Sequence, residues 1–363
     1  RFRIGTTTAI NGKPYSVAYT GQAQLISAQG ELPKLPPLGQ PFGMVELRSA
    51  DGEVVSIDYG HTPPNVERGR AVLLDDLQLT GLKGESAKDE KGRQFNCPHC
   101  GAPVQVQLAT SKTVTCGSCA SIISLESGVG GELRSAEQDE PVQPIIPLGA
   151  KGQLQGVHWQ VVGFQHRMGV EPGDDEHFGW SEYLLYNQKR GFAFLVDSEE
   201  GWSMVRPTTG APQLAASGRS ATYLGTTYQL KYHYDAETTY VLGEFYWQVS
   251  RGQKTSNRDF ASSKGVLSLE QSRNEVTWSA GDQIASDTVA KAFNLDDKKD
   301  VLQRDDPGPF VAKSGLGCGT IIVIAVIILI LLIILSDCSG SSGSGYRSSG
   351  GSFGGYSSGG GHK

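Results

Sequence analysis

An unbroken aliphatic run at residues 321–335, extended to 316–335 with Thr320 as its one strongly hydrogen-bonding side chain, constrains this chain more than any other feature. Twenty residues at a helical rise of about 1.5 Å reach roughly 30 Å, the thickness of a bilayer core. The segment therefore reads as a transmembrane helix. A buried core helix would need a large domain around it, yet residues 336–363 hold 20 Gly or Ser in 28 positions. That tail, with Tyr346, Phe353 and Tyr356 spaced among glycines, cannot bury enough apolar surface to offset chain entropy and is expected to be disordered. Gly315 and Gly319 form a G-x-x-x-G pair that would let two such helices approach closely as a homo-oligomer. Lys298, Lys299, Arg304 and Lys313 lie within about 20 residues before the run and Arg347 alone within the same distance after it, which predicts a single pass with the large N-terminal part cytoplasmic and the tail outside.

Cysteine spacing is the second strong signal. Cys97-Pro98-His99-Cys100 and Cys116-Gly117-Ser118-Cys119 are two C-x2-C pairs separated by 15 residues, the pattern of a four-thiolate zinc site. Gly101 and Gly117 would permit the tight knuckles, and Val104, Val106 and Leu108 would run as a strand paired with Thr113-Val114-Thr115, so residues 95–126 are expected to be a zinc ribbon. Four protein thiolates leave no open coordination position, which makes the metal structural. Iron in the same ligand set and two disulfides are the alternatives. His99, inside a knuckle, is expected to face solvent. With 32 Lys plus Arg against 38 Asp plus Glu, and few basic residues near the cysteines, nucleic acid is not expected as a partner.

Elsewhere the chain is strand-rich. Residues 159–162, 183–186, 192–196, 240–249 and 275–279 carry aromatic and branched side chains between Gly, Asn and Asp turns. Gly12, Tyr15, Val17, Tyr19, Gly30, Glu31 and Leu32 recur 213 positions later as Gly225, Tyr228, Leu230, Tyr232, Gly243, Glu244 and Phe245. A second correspondence sets Glu53-Val54 against Glu275-Val276. The predicted fold is mainly β: two related small antiparallel barrel or sandwich domains with the ribbon between them and one C-terminal transmembrane helix. The boundaries are residues 1–83 for a truncated first copy, 95–126 for the ribbon as a separate module, 148–281 for the second copy, 282–315 for a juxtamembrane spacer, 316–335 for the span and 336–363 for the tail. Ser286 is expected to cap a short amphipathic stretch within the spacer.

No G-x-S-x-G, G-x4-G-K-[ST] or H-E-x-x-H motif occurs, so the commonest hydrolase, nucleotide-binding and zinc-protease chemistries lack sequence support. One polar constellation runs from His166 to Trp180, where His166, Arg167, Glu171, Asp174, Asp175, Glu176 and His177 read as a solvated hairpin loop. Glu171, Asp174, Asp175 and Glu176 are the candidate partner-binding residues, through charge complementarity to a basic protein. The five tryptophans read as packing residues.

Trp159-Gln160-Val161-Val162-Gly163-Phe164, Trp180-Ser181-Glu182-Tyr183-Leu184-Leu185-Tyr186, Gly191-Phe192 and Gly201-Trp202 resemble the bacterial domain family DUF4178. The resemblance covers about residues 148–281, and the ribbon, span and tail fit longer members. It implies a bacterial inner-membrane protein linked to membrane-stress or polyamine-related systems, and it brings no catalytic residues. The leading expectation is a membrane-anchored binding or scaffold protein with protein partners at the bilayer. An enzyme using the loop around His166 to His177, and a component of a secretion or channel assembly, are the alternatives.

Overall fold

The structure, a computed structural model, describes residues 2–32, 34–70, 72, 93–125, 135–138 and 141–304. The expected transmembrane helix with Gly315 and Gly319, the tail, and residues 305–315 lie outside the described residues. Among the described residues no helix is long and apolar enough to cross a membrane.

Five strands come first: β1 (Thr7–Ile10), β2 (Lys13–Gln24), β3 (Pro41–Arg48), β4 (Glu53–Asp58) and β5 (Asn65–Arg70), an antiparallel sheet in sequence order. Alternation decides its buried face, because successive strand residues point to opposite sides. Tyr15, Val17, Val45, Leu47, Val55 and Ile57 form its core. The cysteine region supplies β6 (Arg93–Asn96), β7 (Pro103–Val106), β8 (Thr113–Thr115) and β9 (Ile122–Ser124), with β10 (Ser135–Ala136) beside β9. Next come β11 (Lys151–Leu154), β12 (Val157–Val170), β13 (His177–Asn187), β14 (Gly191–Ser198) and β15 (Gly201–Pro207). The last strands are β16 (Gln213–Leu214), β17 (Ser220–Tyr223), β18 (Thr226–Phe245), β19 (Lys254–Ser262), β20 (Gly265–Gln271) and β21 (Val276–Ile284).

Eight of these strands close into an antiparallel barrel. The neighbours run β12, β13, β14, β15, β21, β20, β19, β18 and back to β12, so no free edge is left around the ring. Twenty-residue β18 binds the assembly together: it pairs in turn with β17, β19, β12 and β8. Where β18 leaves the barrel, Gly243 has φ +86° and a Cβ there would come 2.3 Å from Val162 O, so only glycine fits this close passage.

The first sheet repeats β17 and the last four barrel strands, β18 to β21, strand for strand. Thr7 pairs with Ser16 as Ser220 pairs with Gln229, and Ser16 with Arg48 as Gln229 with Ala261, every residue shifted by 213 positions. The bulge recurs too, between Val17 and Tyr19 and between Leu230 and Tyr232. Beyond the next turn the register slips by one: Leu47 faces Val55 where Phe260 faces Leu267, which sets β4 against β20 and β5 against β21. The expected match of Glu53-Val54 with Glu275-Val276 is thereby corrected, because strand order and not local residue similarity decides the partner. The expected pair of like domains resolves into one closed barrel and one open sheet. Among the described residues β1–β5 have no counterpart of β12–β15. The sheet sits against the barrel through Thr20 N donating to Asn274 O and Ala211 N donating to Ser49 O.

Two expectations about modules change. The ribbon is not separate, since β8 pairs with β18 at Glu244 and Phe245. Residues 286–304 are not a spacer either. Helices α1 (Ser286–Ala292) and α2 (Lys299–Leu302) lay Val289, Ala290, Phe293 and Leu302 onto Trp159, Phe164 and Trp202 on the outside of the barrel. Burial of these side chains against the barrel wall outweighs the polar sequence around them. Ser286 does not cap: the N-cap is Ala285, and Ser286 Oγ instead accepts from Arg304 N at 3.0 Å.

Candidate metal centre and the barrel interior

Each C-x2-C pair lies in the turn of its own hairpin, β6–β7 for Cys97 and Cys100 and β8–β9 for Cys116 and Cys119. This corrects the expected pairing of residues 104–108 with 113–115. The knuckle is itself the tight turn: Cys97 N donates to Ala102 O and Gly101 N to Cys97 O, and Cys116 N and Ala120 N make the equivalent bonds to Ser121 O and Cys116 O. The left-handed position falls four residues after the first cysteine in both, on Gly101 (φ 75°) and on Ala120 (φ 56°), so Gly117 is not the residue that permits the second turn.

The four sulfurs lie within 4.8 Å of one another. Cys97 Sγ is 3.8 Å from Cys119 Sγ, and Cys100 Sγ is 3.7 Å from Cys116 Sγ. A tetrahedron with metal–sulfur bonds of about 2.3 Å has edges of about 3.8 Å, so the donor set fits one tetrahedral ion. A disulfide needs about 2.05 Å, and all four cysteines are free, which sets the disulfide alternative aside. Cys119 Sγ is 3.3 Å from Ser121 Oγ, and hydrogen bonding from Ser121 pulls this thiol down to about 5, toward the thiolate a metal requires. Ser118 N donates to Cys116 Sγ at 3.4 Å. His99 is not a ligand: its Nδ1 meets Ser121 Oγ at 3.0 Å and its Nε2 meets Glu137 at 3.1 Å.

The centre is tied to the barrel by side chains that spacing alone does not reveal. Buried Glu244 accepts from Gln107 N at 2.7 Å, Leu108 N at 3.0 Å and Ser111 Oγ at 2.8 Å. Gln138 donates to Ala120 O and Val241 O and accepts from Val241 N, bridging the second knuckle to β18. Gly243 N donates to Thr115 Oγ1 at 2.6 Å.

The polar constellation divides. Only residues 171–176 form the loop, where Glu171 is half-buried and Asp174, Asp175 and Glu176 are exposed. His177 starts β13, exposed, and His166 lies within β12 with Nδ1 2.8 Å from Thr239 Oγ1. Burial lowers the pKa of His166, which favours the neutral ring.

Arg167 is the residue the sequence reading misplaced. It is 2 % exposed and faces the barrel interior, with Nη1 2.9 Å from Glu270, Nη2 2.6 Å from Thr255 Oγ1 and the guanidinium over Trp180. Glu182 accepts from Gln165 and from Trp180 Nε1, both at 2.7 Å. Around them lies a cavity of about 320 Å³. Period-two alternation at Gln165 and Arg167 is the one signal that pointed inward, and the adjoining acidic loop obscured it.

Residues 147–286 match the model of a family described as Domain of unknown function (DUF4178). The matched segment runs from just before β11, through all eight barrel strands, to the first residue of α1. The ribbon and the first sheet lie outside it. No curated protein and no solved structure matches the chain.

Proposed function

We infer that this chain is a membrane-anchored binding or scaffold protein. It carries one structural zinc at Cys97, Cys100, Cys116 and Cys119 and is held by residues 316–335 at the cytoplasmic face of a bacterial inner membrane. The observation that carries the reading is the closed four-sulfur site fastened to the barrel through β8 and Glu244: a metal with no free position acts on shape, and here it braces a platform. The acidic residues Glu171, Asp174, Asp175 and Glu176, set between β12 and β13, are the surface offered to a basic protein partner. Anchoring would raise the effective concentration of that surface for membrane-bound partners.

The test is crosslinking in cells followed by recovery of the full-length chain from membranes. A discrete set of partners should come down with the natural chain and be lost when the four acids are changed to Lys. Replacing His166 and His177 by Gln should leave recovery and in-cell function intact. Loss of function in that double variant, with folding and partners retained, would favour an enzyme instead.

A further inference from the structure

We propose that the polar interior of the eight-stranded barrel is a binding site for one neutral hexose. This goes beyond the scaffold reading and does not depend on it. Barrels of eight strands have room for a packed core or for one small ligand. Here the interior is divided. Trp180, Val196, Val205, Tyr234 and Ala236 pack one part of it. The other part is the cavity of about 320 Å³. That volume is at the small end for ligand sites and suits a single ring, not a chain of them.

The cavity walls have two characters. Phe194, Tyr246 and Trp247 form a continuous aromatic side, with the Trp247 ring 5.8 Å from Phe194 and 4.7 Å from Tyr246. The ribbon holds this side in place: Thr113 Oγ1 donates to Trp247 O at 3.1 Å and accepts from Val249 N at 3.3 Å, and Gln248 Nε2 donates to Ser124 Oγ at 2.9 Å. Elsewhere the lining carries neutral polar groups, the hydroxyls of Thr238, Ser268, Thr277 and Ser279 and the amides of Gln165 and Gln253. A hexose has the same two characters. The C–H groups on a face of its ring pack against aromatic rings, and the hydroxyls at its edge both donate and accept.

Charge favours a neutral guest. Arg167 meets Glu270 at 2.9 Å and Glu182 at 3.6 Å, and Glu182 also accepts from Gln165 and Trp180. At the rim Arg48 meets Glu46 at 2.7 Å, and Glu275 is exposed to water. These charges are already matched within the protein or solvated, so an ion entering the cavity would lose its own hydration without a counter-charge set aside for it. An independent observation concerns Arg167 Nε, which is buried at the cavity wall with no hydrogen-bond partner. A sugar oxygen placed there would accept from it.

The test is calorimetric titration of D-glucose, D-galactose and D-mannose into the purified full-length chain. Each is compared with its uronate, with its 2-amino-2-deoxy counterpart, and with cyclohexylmethanol, which keeps the ring size and loses the ring hydroxyls. At least one hexose should bind, at least tenfold more tightly than its two charged counterparts and than cyclohexylmethanol. Trp247→Ala should weaken that hexose at least tenfold. Thr277→Val, which keeps the side-chain shape, should weaken it about fivefold while the melting temperature stays within a few degrees. No binding of any of the three hexoses, equal or tighter binding of a charged counterpart or of cyclohexylmethanol, or unchanged affinity in folded Trp247→Ala and Thr277→Val proteins would overturn the proposal. The comparison of probes on the natural chain needs no variant, so it decides even if Trp247→Ala fails to fold. Partner recovery from membranes is a separate readout, which keeps failure of this site distinct from failure of the scaffold reading.

Discussion

Beneath the C-terminal helices, the carboxylate of Asp197 meets Arg304 through Nε at 2.8 Å and Nη2 at 2.9 Å. Burial pushes its pKa up to about 6, with Arg304 pulling the other way. The folded chain therefore holds this proton more tightly than the unfolded chain does. The resulting stabilisation is present in acid and is lost as pH rises through about 6. Denaturant titrations at pH 4 and pH 7 should show the natural chain losing up to about 3 kcal/mol relative to Asp197→Asn over that interval. A difference between the two proteins that does not change with pH would refute it. Gly243 makes a second prediction at this scale. With φ +86° and Val162 O only 2.3 Å from a Cβ, Gly243→Ala should cost several kcal/mol, read from the shift of the unfolding midpoint. The sequence marked Gly243 as part of a repeat, yet the close passage that demands glycine arises only where β18 crosses β12.

At the scale of elements, the ribbon and barrel are joined by few but buried polar contacts. Glu244→Ala would leave the amides of Gln107 and Leu108 and the hydroxyl of Ser111 without their acceptor. A cost of about 2–4 kcal/mol is expected, with faster amide exchange at residues 107–115, because losing a charged partner strands buried donors. Unchanged exchange there would mean the β8–β18 pairing suffices alone. The helices make a complementary case. Phe293→Ala should destabilise by about 3–5 kcal/mol if α1 is part of the barrel's packing, as its buried contacts indicate. Near-zero cost would restore the reading of this region as a spacer. That reading failed because an amphipathic segment of seven residues is too short to announce by periodicity alone which surface it covers.

For the whole molecule, the metal should act as a keystone. Treating the purified chain with a strong chelator, or replacing Cys100 by Ser, should remove about one zinc per chain and lower the melting temperature, since four thiolates within 4.8 Å repel or protonate without a cation between them. Because β8 continues the sheet through β18, the loss should reach the barrel and not stop at the ribbon. An unchanged transition after complete metal removal would contradict this, and iron in place of zinc would keep the geometry while changing the ion. Closure of the barrel satisfies the edge strands internally, and α1 and α2 cover one outer face.

What the sequence determined by itself was local or periodic. Two C-x2-C pairs pointed to the four cysteines whose sulfurs come together, because spacing within a knuckle is set by a few bonds, and alternation of aromatic and branched residues identified strands because side chains reverse face at each step. The shift of 213 positions was readable because a repeated strand order repeats its own pattern. Tertiary structure alone decided what those strands enclose. Arg167, Glu182, Thr255 and Glu270 come from β12, β13, β19 and β20, and only barrel closure brings them to one cavity. Their distance along the chain hides them from any local pattern, and a charged residue inside a barrel looks in sequence the same as one facing water.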